Sequence, residues 1–383
     1  MNNISNYYDY AAATPILADV SKDMLPYFSD YFYNPSALYL SAKNIKQAVN
    51  SARATIANGL GAKPKELIFT AGGTEANNLA IQGVLRRFPA KKVLYSSIEH
   101  DSVIQPANLF NNAEITVNNE GLVDLNNLQS QIDDDTVLVS VMYVNNEIGT
   151  IQPIKKISNL IEELRQDRSV RGIKLPLYLH CDACQAVNYI DLQVKRLRVD
   201  LLTINSGKIY GPKQFGALYI KSGVQISPII LGGGQEYSLR SGTESVANII
   251  GFAKAFTIVR SDYKSEAHRL EIIRNNFIKT IVNSSNKISL IGSANKNRIA
   301  NNVHLLINGV DNEWLTMYLD EMGFQIATGS ACSASSDEPS HVLKAVGLSD
   351  KEAQNSIRIT FGRYTKADDV DKLQKIIIKT VAK

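Results

Sequence analysis

Apolar positions along this chain fall into two alternating patterns. Short continuous apolar runs are bounded by Gly, Asn, Asp or Pro, and they read as buried strands. They are Glu66 to Thr70, Lys92 to Ser97, Val137 to Val144, Leu175 to Asp182, Val199 to Ile204 and Gly216 to Ile220. Between them lie stretches with helical spacing. From Asn77 onward, Leu79, Ile81, Val84, Leu85 and Phe88 mark an inward side. Ile157, Leu160, Ile161 and Leu164 fall at i, i+3, i+4 and i+7. Ser245 to Tyr263 reads as a long helix with Ile249, Ile250, Phe252, Ala253 and Phe256 on its apolar side. Strands alternating with helices through the first two thirds argue a mostly parallel sheet covered by helices. The last third carries strand-like runs at Val303–Ile307 and Phe324–Ala327. Thr365-Lys366-Ala367-Asp368 then reads as a capping box. The helix it opens turns Val370, Leu373, Ile376 and Ile377 inward.

Composition changes this picture little. A length of 383 residues is too much for one simple core and predicts two domains. Hydrophobic content of 44% and charged content of 20% are ordinary for a soluble globular protein. A net charge of +4 gives no case for nucleic acid as the main partner. No apolar run approaches membrane-span length. The start has neither a signal-peptide nor a transit-peptide pattern. Three cysteines make no disulfide framework, so the expected compartment is the reducing cytoplasm.

The chemistry gathers at the strand ends. Asn205-Ser206-Gly207-Lys208-Ile209-Tyr210-Gly211-Pro212 follows one buried run and precedes another. Lys208 therefore sits where a strand leaves the core, among small residues that admit a planar ligand. It reads either as a surface lysine or as an amine that condenses with a carbonyl at a cavity floor. Upstream, the run through His180 and Cys181 ends in the carboxylate of Asp182. An acid and a lysine at neighbouring strand ends are what pyridoxal phosphate requires. Ala71-Gly72-Gly73-Thr74 opens a helix and offers free backbone N–H groups to a phosphate. Cys332 lies in a run of small residues, Gly329 to Ser336, that could not bury much around a thiol. Cys181 and Cys184 form a CxxC without a second ligand pair, and they read as small buried residues rather than a metal site.

The runs HCDACQA and SGKIYGPK resemble the core of the cysteine desulfurases, fold-type I pyridoxal-phosphate enzymes of the aminotransferase class V group. The resemblance continues in FTAGGTEANNLAIQG, Asn145-Asn146-Glu147-Ile148-Gly149, Arg240-Ser241-Gly242-Thr243, GSACSASSDEPSHVLKAVGLSD and Ser356-Ile357-Arg358. It implies a large α/β domain over 15–262, built on a mostly parallel seven-stranded sheet. A small α+β domain would combine 1–14 with 263–383 and carry the catalytic cysteine loop.

The resemblance also implies roles. Lys208 would hold pyridoxal 5'-phosphate, Asp182 would pair with the ring nitrogen, and Gln185 would donate to the phenolic oxygen. His100 would stack on the ring and shuttle protons with Lys208. Gly73, Thr74, Asn205 and Ser206 would seat the phosphate, helped by Thr243 from the second subunit of a homodimer. Asn146 would lie beside cofactor and substrate, with Asn34 near it and Arg358 clamping the substrate carboxylate. Cys332 would take sulfur from L-cysteine as a persulfide, leaving alanine, and pass it to an iron–sulfur scaffold or tRNA-thiolation protein. The chain ends directly after its last helix, and the acceptor stays open between these two. No metal site is expected.

Some positions depart from the family pattern. Tyr10 and Ala13 alter the N-terminal motif, and Tyr39 stands where a histidine is usual. Gly207 and Asn205 replace the usual His and Ser beside the lysine. Selenocysteine lysis, transamination, or a non-catalytic sulfur-carrier role would fit the same scaffold. A P-loop at Ser206-Gly207-Lys208 is excluded, because Ile209 stands where Ser or Thr is required.

Overall fold

The computed structural model describes residues 4–294, 296–329 and 339–382; Cys332 lies outside them. Seven strands form the larger sheet. They are β1 (Leu67–Thr70), β2 (Lys92–Ser96), β3 (Asn111–Ile115), β4 (Thr136–Ser140), β5 (Tyr178–Asp182), β6 (Leu201–Asn205) and β7 (Gly216–Ile220). Their order is β1-β7-β6-β5-β4-β2-β3. β7 pairs antiparallel with both neighbours, and every other pairing is parallel. Six strands therefore share one direction. β4, β5 and β7 are buried at every position, as two-sided helical cover requires.

Most expected elements form, with differences of detail. β4 ends at Ser140, and the apolar run to Val144 continues as irregular chain joined to Ile151 by an isolated bridge. Phe324–Ala327 makes only isolated bridges, from Gln325 to Tyr7 and from Ala327 to Arg358. The capping box at Thr365 does not form. Its hydroxyl instead accepts from Gly362 N–H at 2.9 Å, and the last helix, Ala367–Val381, starts from Lys366 without a side-chain cap.

The helix expected over Ser245–Tyr263 runs on to Val282, 37 residues in all. At 1.5 Å per residue it spans about 55 Å. Its first half buries Phe252 and Phe256, and its last part buries Leu270, Phe277 and Ile281. It thus joins the large sheet to the smaller one without a break at 262–263. The helix Leu40–Leu60 packs on it so closely that a Cβ at Gly59 would lie 2.3 Å from the Phe256 ring. The smaller sheet is antiparallel, β10-β9-β8, from Ile288–Leu290 (β8), Asn302–Ile307 (β9) and Ser356–Thr360 (β10). Among the described residues, no helix is long and apolar enough to cross a membrane.

The N-terminal segment ties the two sheets together. Tyr8 N–H donates to Gln325 at 2.8 Å, and Tyr8 C=O accepts from Thr360 N–H at 2.7 Å. Six residues on, Thr14 N–H donates to Gly207 and Leu17 N–H to Tyr210. The segment therefore runs from the edge of β10 to the turn that follows β6.

Two buried polar features shape stability. Arg53 and Glu236 form a bidentate pair, both bonds 2.6 Å, and Glu236 also accepts from Phe69 N–H. The pair anchors a turn in which Glu236, Tyr237 and Ser238 all have positive φ, at 47°, 58° and 65°. Three consecutive side-chain-bearing residues in that region are strained and need an external hold. The second feature is two buried histidines. His180 lies between Ser140 Oγ and Thr203 Oγ1, at 2.8 and 3.0 Å. His304 Nδ1–H donates to Glu147 C=O, and its Nε2 meets Ser356 Oγ. Burial lowers His180 to about 4 and His304 to about 3.

Both features lead to measurable outcomes. Glu236→Ala should destabilise the protein by about 3–5 kcal/mol in urea unfolding, because it leaves a buried guanidinium unpaired. A loss under about 1 kcal/mol, the size of an exposed pair, would show that the pair does not hold the turn. The histidines bind protons in the unfolded chain near pH 6.5 but not in the folded one. Each therefore stabilises fully above that pH and loses its contribution as the pH falls toward the folded value. Burial also raises Glu99 and Glu147, which act in the opposite sense, so the net slope is not diagnostic. The His304→Gln variant isolates the contribution: its acid loss between about pH 7 and 5 should be smaller than wild type by about 2 kcal/mol. An unchanged slope would refute the buried neutral ring.

Candidate active site

Because six strands run one way, their C-terminal ends lie on one edge of the sheet, the edge where ligands bind in such folds. β1 leads to Gly72 and Gly73, β2 to Glu99 and His100, and β4 to the chain carrying Asn145 and Asn146. β5 ends at Asp182, and β6 at Asn205 before the turn Ser206–Lys208. A cavity of about 250 Å³ opens there. Its lining includes Gly73, Thr74, His100, Asn146, Asp182, Gln185, Asn205, Lys208 and Arg358.

One end of the cavity is suited to an anion. The helix Gly73–Arg87 begins here, with Gly72 as its N-cap at φ 108° and no side-chain cap. Gly73 is required by close approach. A Cβ on it would lie 2.9 Å from Cys184 Sγ and 3.3 Å from Asn205 Nδ2. Asn205 Oδ1 accepts from Gly207 N–H at 2.9 Å, so its NH₂ faces Gly73. An uncapped helix N-terminus, a threonine hydroxyl and an amide donor are together groups that could seat a phosphate.

The middle of the cavity holds the acid and the amine. Asp182 accepts from Cys184 N–H at 2.9 Å and from Asn77 Nδ2 at 2.7 Å. Lys208 Nζ donates to the carbonyls of Ala11 and Ala12, at 2.8 and 2.6 Å. Gln185 Nε2 donates to the same Ala11 carbonyl at 2.9 Å. His100 is the N-cap of the helix Asp101–Ala107. Burial holds the neighbouring Glu99 carboxyl well above the usual carboxylate range. The same burial pushes the Cys181 thiol up, as expected for an inert buried cysteine. These residues fit pyridoxal phosphate: an acid for the ring nitrogen, an amine, an amide donor and an anion seat in one cleft.

The far end holds Arg358, whose side chain is 1% exposed. Its Nη2 bonds Asp9 Oδ1 at 2.7 Å and its Nη1 bonds Asn146 C=O. Burial also raises Glu147, which accepts from Ser340 Oγ at 2.6 Å. No cluster of metal-ligating side chains occurs among the described residues.

Three expected residues do not line the cavity of this single chain, Thr243 being expected there only from a second subunit. Ser206 is fully buried, and its hydroxyl has no partner among the described residues and sits where a Cβ on Gly211 would fall. It faces the packing below the turn, not the cavity. Asn34 is exposed and closes its own turn, accepting from Ser36 N–H at 2.9 Å. Thr243 is exposed and absent from the lining. Conversely, the cavity recruits Ala11, Ala12, Asn77, Ser102, Met142 and Val144, to which sequence motifs assign no role. Only Asn77 carries a signal, as a polar residue on the otherwise apolar side of its helix.

Comparison with known proteins agrees with this geometry. The cysteine desulfurase IscS of Dictyoglomus turgidum is 41% identical over 97% of this chain and 94% of its own length. Cysteine desulfurase IscS 1 of Archaeoglobus fulgidus is 40% identical over 97% of this chain and 95% of its own length. The X-ray structure of a NifS-like protein from Rickettsia africae superposes with a TM-score of 0.87 at 29% identity, covering 99% of both chains. The aminotransferase class-V family matches residues 6–373, and the chain belongs to it.

Proposed function

We propose that this protein is a pyridoxal-phosphate-dependent cysteine desulfurase of the cytoplasm, acting as a homodimer. The observation that carries this is the single cleft shared by Lys208, Asp182, Gln185, His100, Asn205 and Arg358. Lys208 would hold the cofactor, Asp182 its ring nitrogen, Gln185 its phenolic oxygen, and Gly73, Thr74 and Asn205 its phosphate. When bound, pyridoxal phosphate supplies the electron sink that loosens the bonds to the α-carbon of an amino acid. Arg358 binds the substrate carboxylate as a fork beside Asn146. Lys208 Nζ and His100 move protons. Cys332 supplies the thiolate that attacks the substrate sulfur. The carbon–sulfur bond breaks, a sulfur–sulfur bond to Cys332 forms, and the carbon keeps the electron pair and takes a proton to give alanine. A protein acceptor, an iron–sulfur scaffold or a tRNA-thiolation protein, then receives the sulfur.

The domain division follows the same reading: 15–262 holds the cofactor, while 1–14 with 263–383 carries Arg358 and the Cys332 loop. The homodimer is supported by exposed apolar side chains at Leu25, Phe28, Phe32, Leu38 and Leu40, with Leu38 86% exposed, and by Leu231 at 79%. Such a surface is unusual on a monomer. Thr243, exposed in one chain, would then reach the phosphate of the other.

Given L-cysteine and a reductant, the protein should release sulfide and alanine in equal amounts, and Cys332→Ser should reduce both to the background of the free cofactor. Alanine without sulfide, or full activity in Cys332→Ser, would overturn the reading. Arg358→Lys should raise KM for cysteine roughly 10- to 100-fold, the loss of one charge-assisted hydrogen bond. An unchanged KM would remove Arg358 from substrate binding. Sedimentation should give the mass of two chains, and a monomer would refute the dimer.

A further inference from the structure

A continuous set of hydrogen bonds joins Asp182 to His100 through two residues that the reaction scheme leaves unused. Asn77, 1% exposed on the helix Gly73–Arg87, uses both hydrogens of one amide nitrogen. Its Nδ2 lies 2.7 Å from Asp182 Oδ2 and 2.8 Å from Ser102 Oγ. A carboxylate only accepts, so the amide nitrogen, not its oxygen, must face Asp182. The cost of that orientation is visible: Asn77 Oδ1 is buried and has no partner among the described residues. Turning the amide over would set two oxygens against each other at Asp182, so the orphaned oxygen is the better arrangement.

Ser102 carries the direction onward. Its hydroxyl oxygen accepts from Asn77, which turns its hydrogen toward His100 Nδ1, 2.8 Å away. Ser102 backbone N–H donates to the same Nδ1 at 3.0 Å, the cap of the helix Asp101–Ala107. A backbone N–H can only donate, so Nδ1 offers its lone pair and the proton of the neutral ring sits on Nε2. From Asn77 through Ser102 the hydrogens point toward His100 Nδ1, while the second hydrogen of Asn77 Nδ2 points to Asp182.

We propose that Asn77 and Ser102 are positioning residues that lock His100 as its Nε2–H tautomer and orient the Asp182 carboxylate, coupling two groups of the cofactor site. Neutral His100 is thereby a hydrogen donor through Nε2, and its Nδ1 takes no proton from substrate. This rests on the pyridoxal-phosphate reading above, but its test does not need turnover.

The test uses the full chain labelled with ¹⁵N-histidine, freed of cofactor, with its five histidines assigned with the help of His100→Gln. His100 should show a protonated Nε2 and an unprotonated, hydrogen-bonded Nδ1 at neutral pH. An Nδ1–H tautomer, or an average of the two, overturns the proposal. In Asn77→Ala and Ser102→Ala the Nδ1 signal should move. Affinity for added pyridoxal phosphate, read from its absorption, should fall about tenfold as a bond to a charged group is lost. Ser102→Thr, which keeps the hydroxyl, should restore both readouts, and it carries the test if Asn77→Ala fails to fold. Unmoved signals and unchanged affinity in folded Asn77→Ala and Ser102→Ala also overturn it. A locked tautomer in a protein that yields no sulfide would count against the desulfurase reading and leave this one standing.

Discussion

The site depends on a backbone segment that belongs to neither sheet. Residues 7–14 run from the edge of β10 to the turn after β6, and the Ala11 and Ala12 carbonyls hold the Lys208 ammonium. The same Ala11 carbonyl accepts from Gln185. Asp9, two residues earlier, pairs with Arg358. One short strap therefore fixes groups from β5, β6 and β10 relative to one another. Backbone carbonyls suit this role because they accept from a cation without adding a further negative charge to the cleft.

Charge is handled in the same sparing way across the cleft. Two further carboxyls lie close by, Glu99 and Glu147, and burial favours the neutral form of each. Asp182 is held by Asn77 Nδ2 and Cys184 N–H, and Asp9 by Arg358. Among the described residues Arg358 Nε is buried without a partner, so Asp9 and Asn146 do not saturate the guanidinium. On the function proposed above, a substrate carboxylate would meet a cation already oriented by its existing bonds, which would lower the ordering required on binding.

The periodicity of apolar residues made six strands of the large sheet legible because they are buried on both faces and leave continuous runs, whereas β3 is buried only at Ile115 and leaves none. It could not show that the 246–282 helix continues through the expected boundary, since Lys264, Ser265 and Glu266 interrupt the apolar pattern where the helix crosses between cores. The capping box at Thr365 failed for a local reason: its hydroxyl is already engaged by Gly362 N–H. Asp182, Gln185, Lys208 and Arg358 were readable from motifs, and the cleft gathers them. Ala11 and Ala12 were not, because what they contribute is carbonyl oxygen, and any residue type has that.

Ser206 and Asn205 show where motif reading and geometry part. By type, both could bind phosphate, and residue identity offers no reason to choose. The backbone chooses. Asn205, last in β6, is the N-cap of the turn Ser206–Lys208, with its own oxygen spent on Gly207 N–H. That leaves its NH₂ toward Gly73 and the helix N-terminus. Ser206 comes one residue later and points the opposite way, into packing against Gly211 and Ala255. The amide of Asn205 thus offers donors only, and the hydrogen bond that orients it also fixes the turn carrying Lys208. One side chain thus orients both the donors beside the helix N-terminus and the turn that carries the amine, so on the function proposed above Asn205 would supply the phosphate donors that the family pattern places on His and Ser.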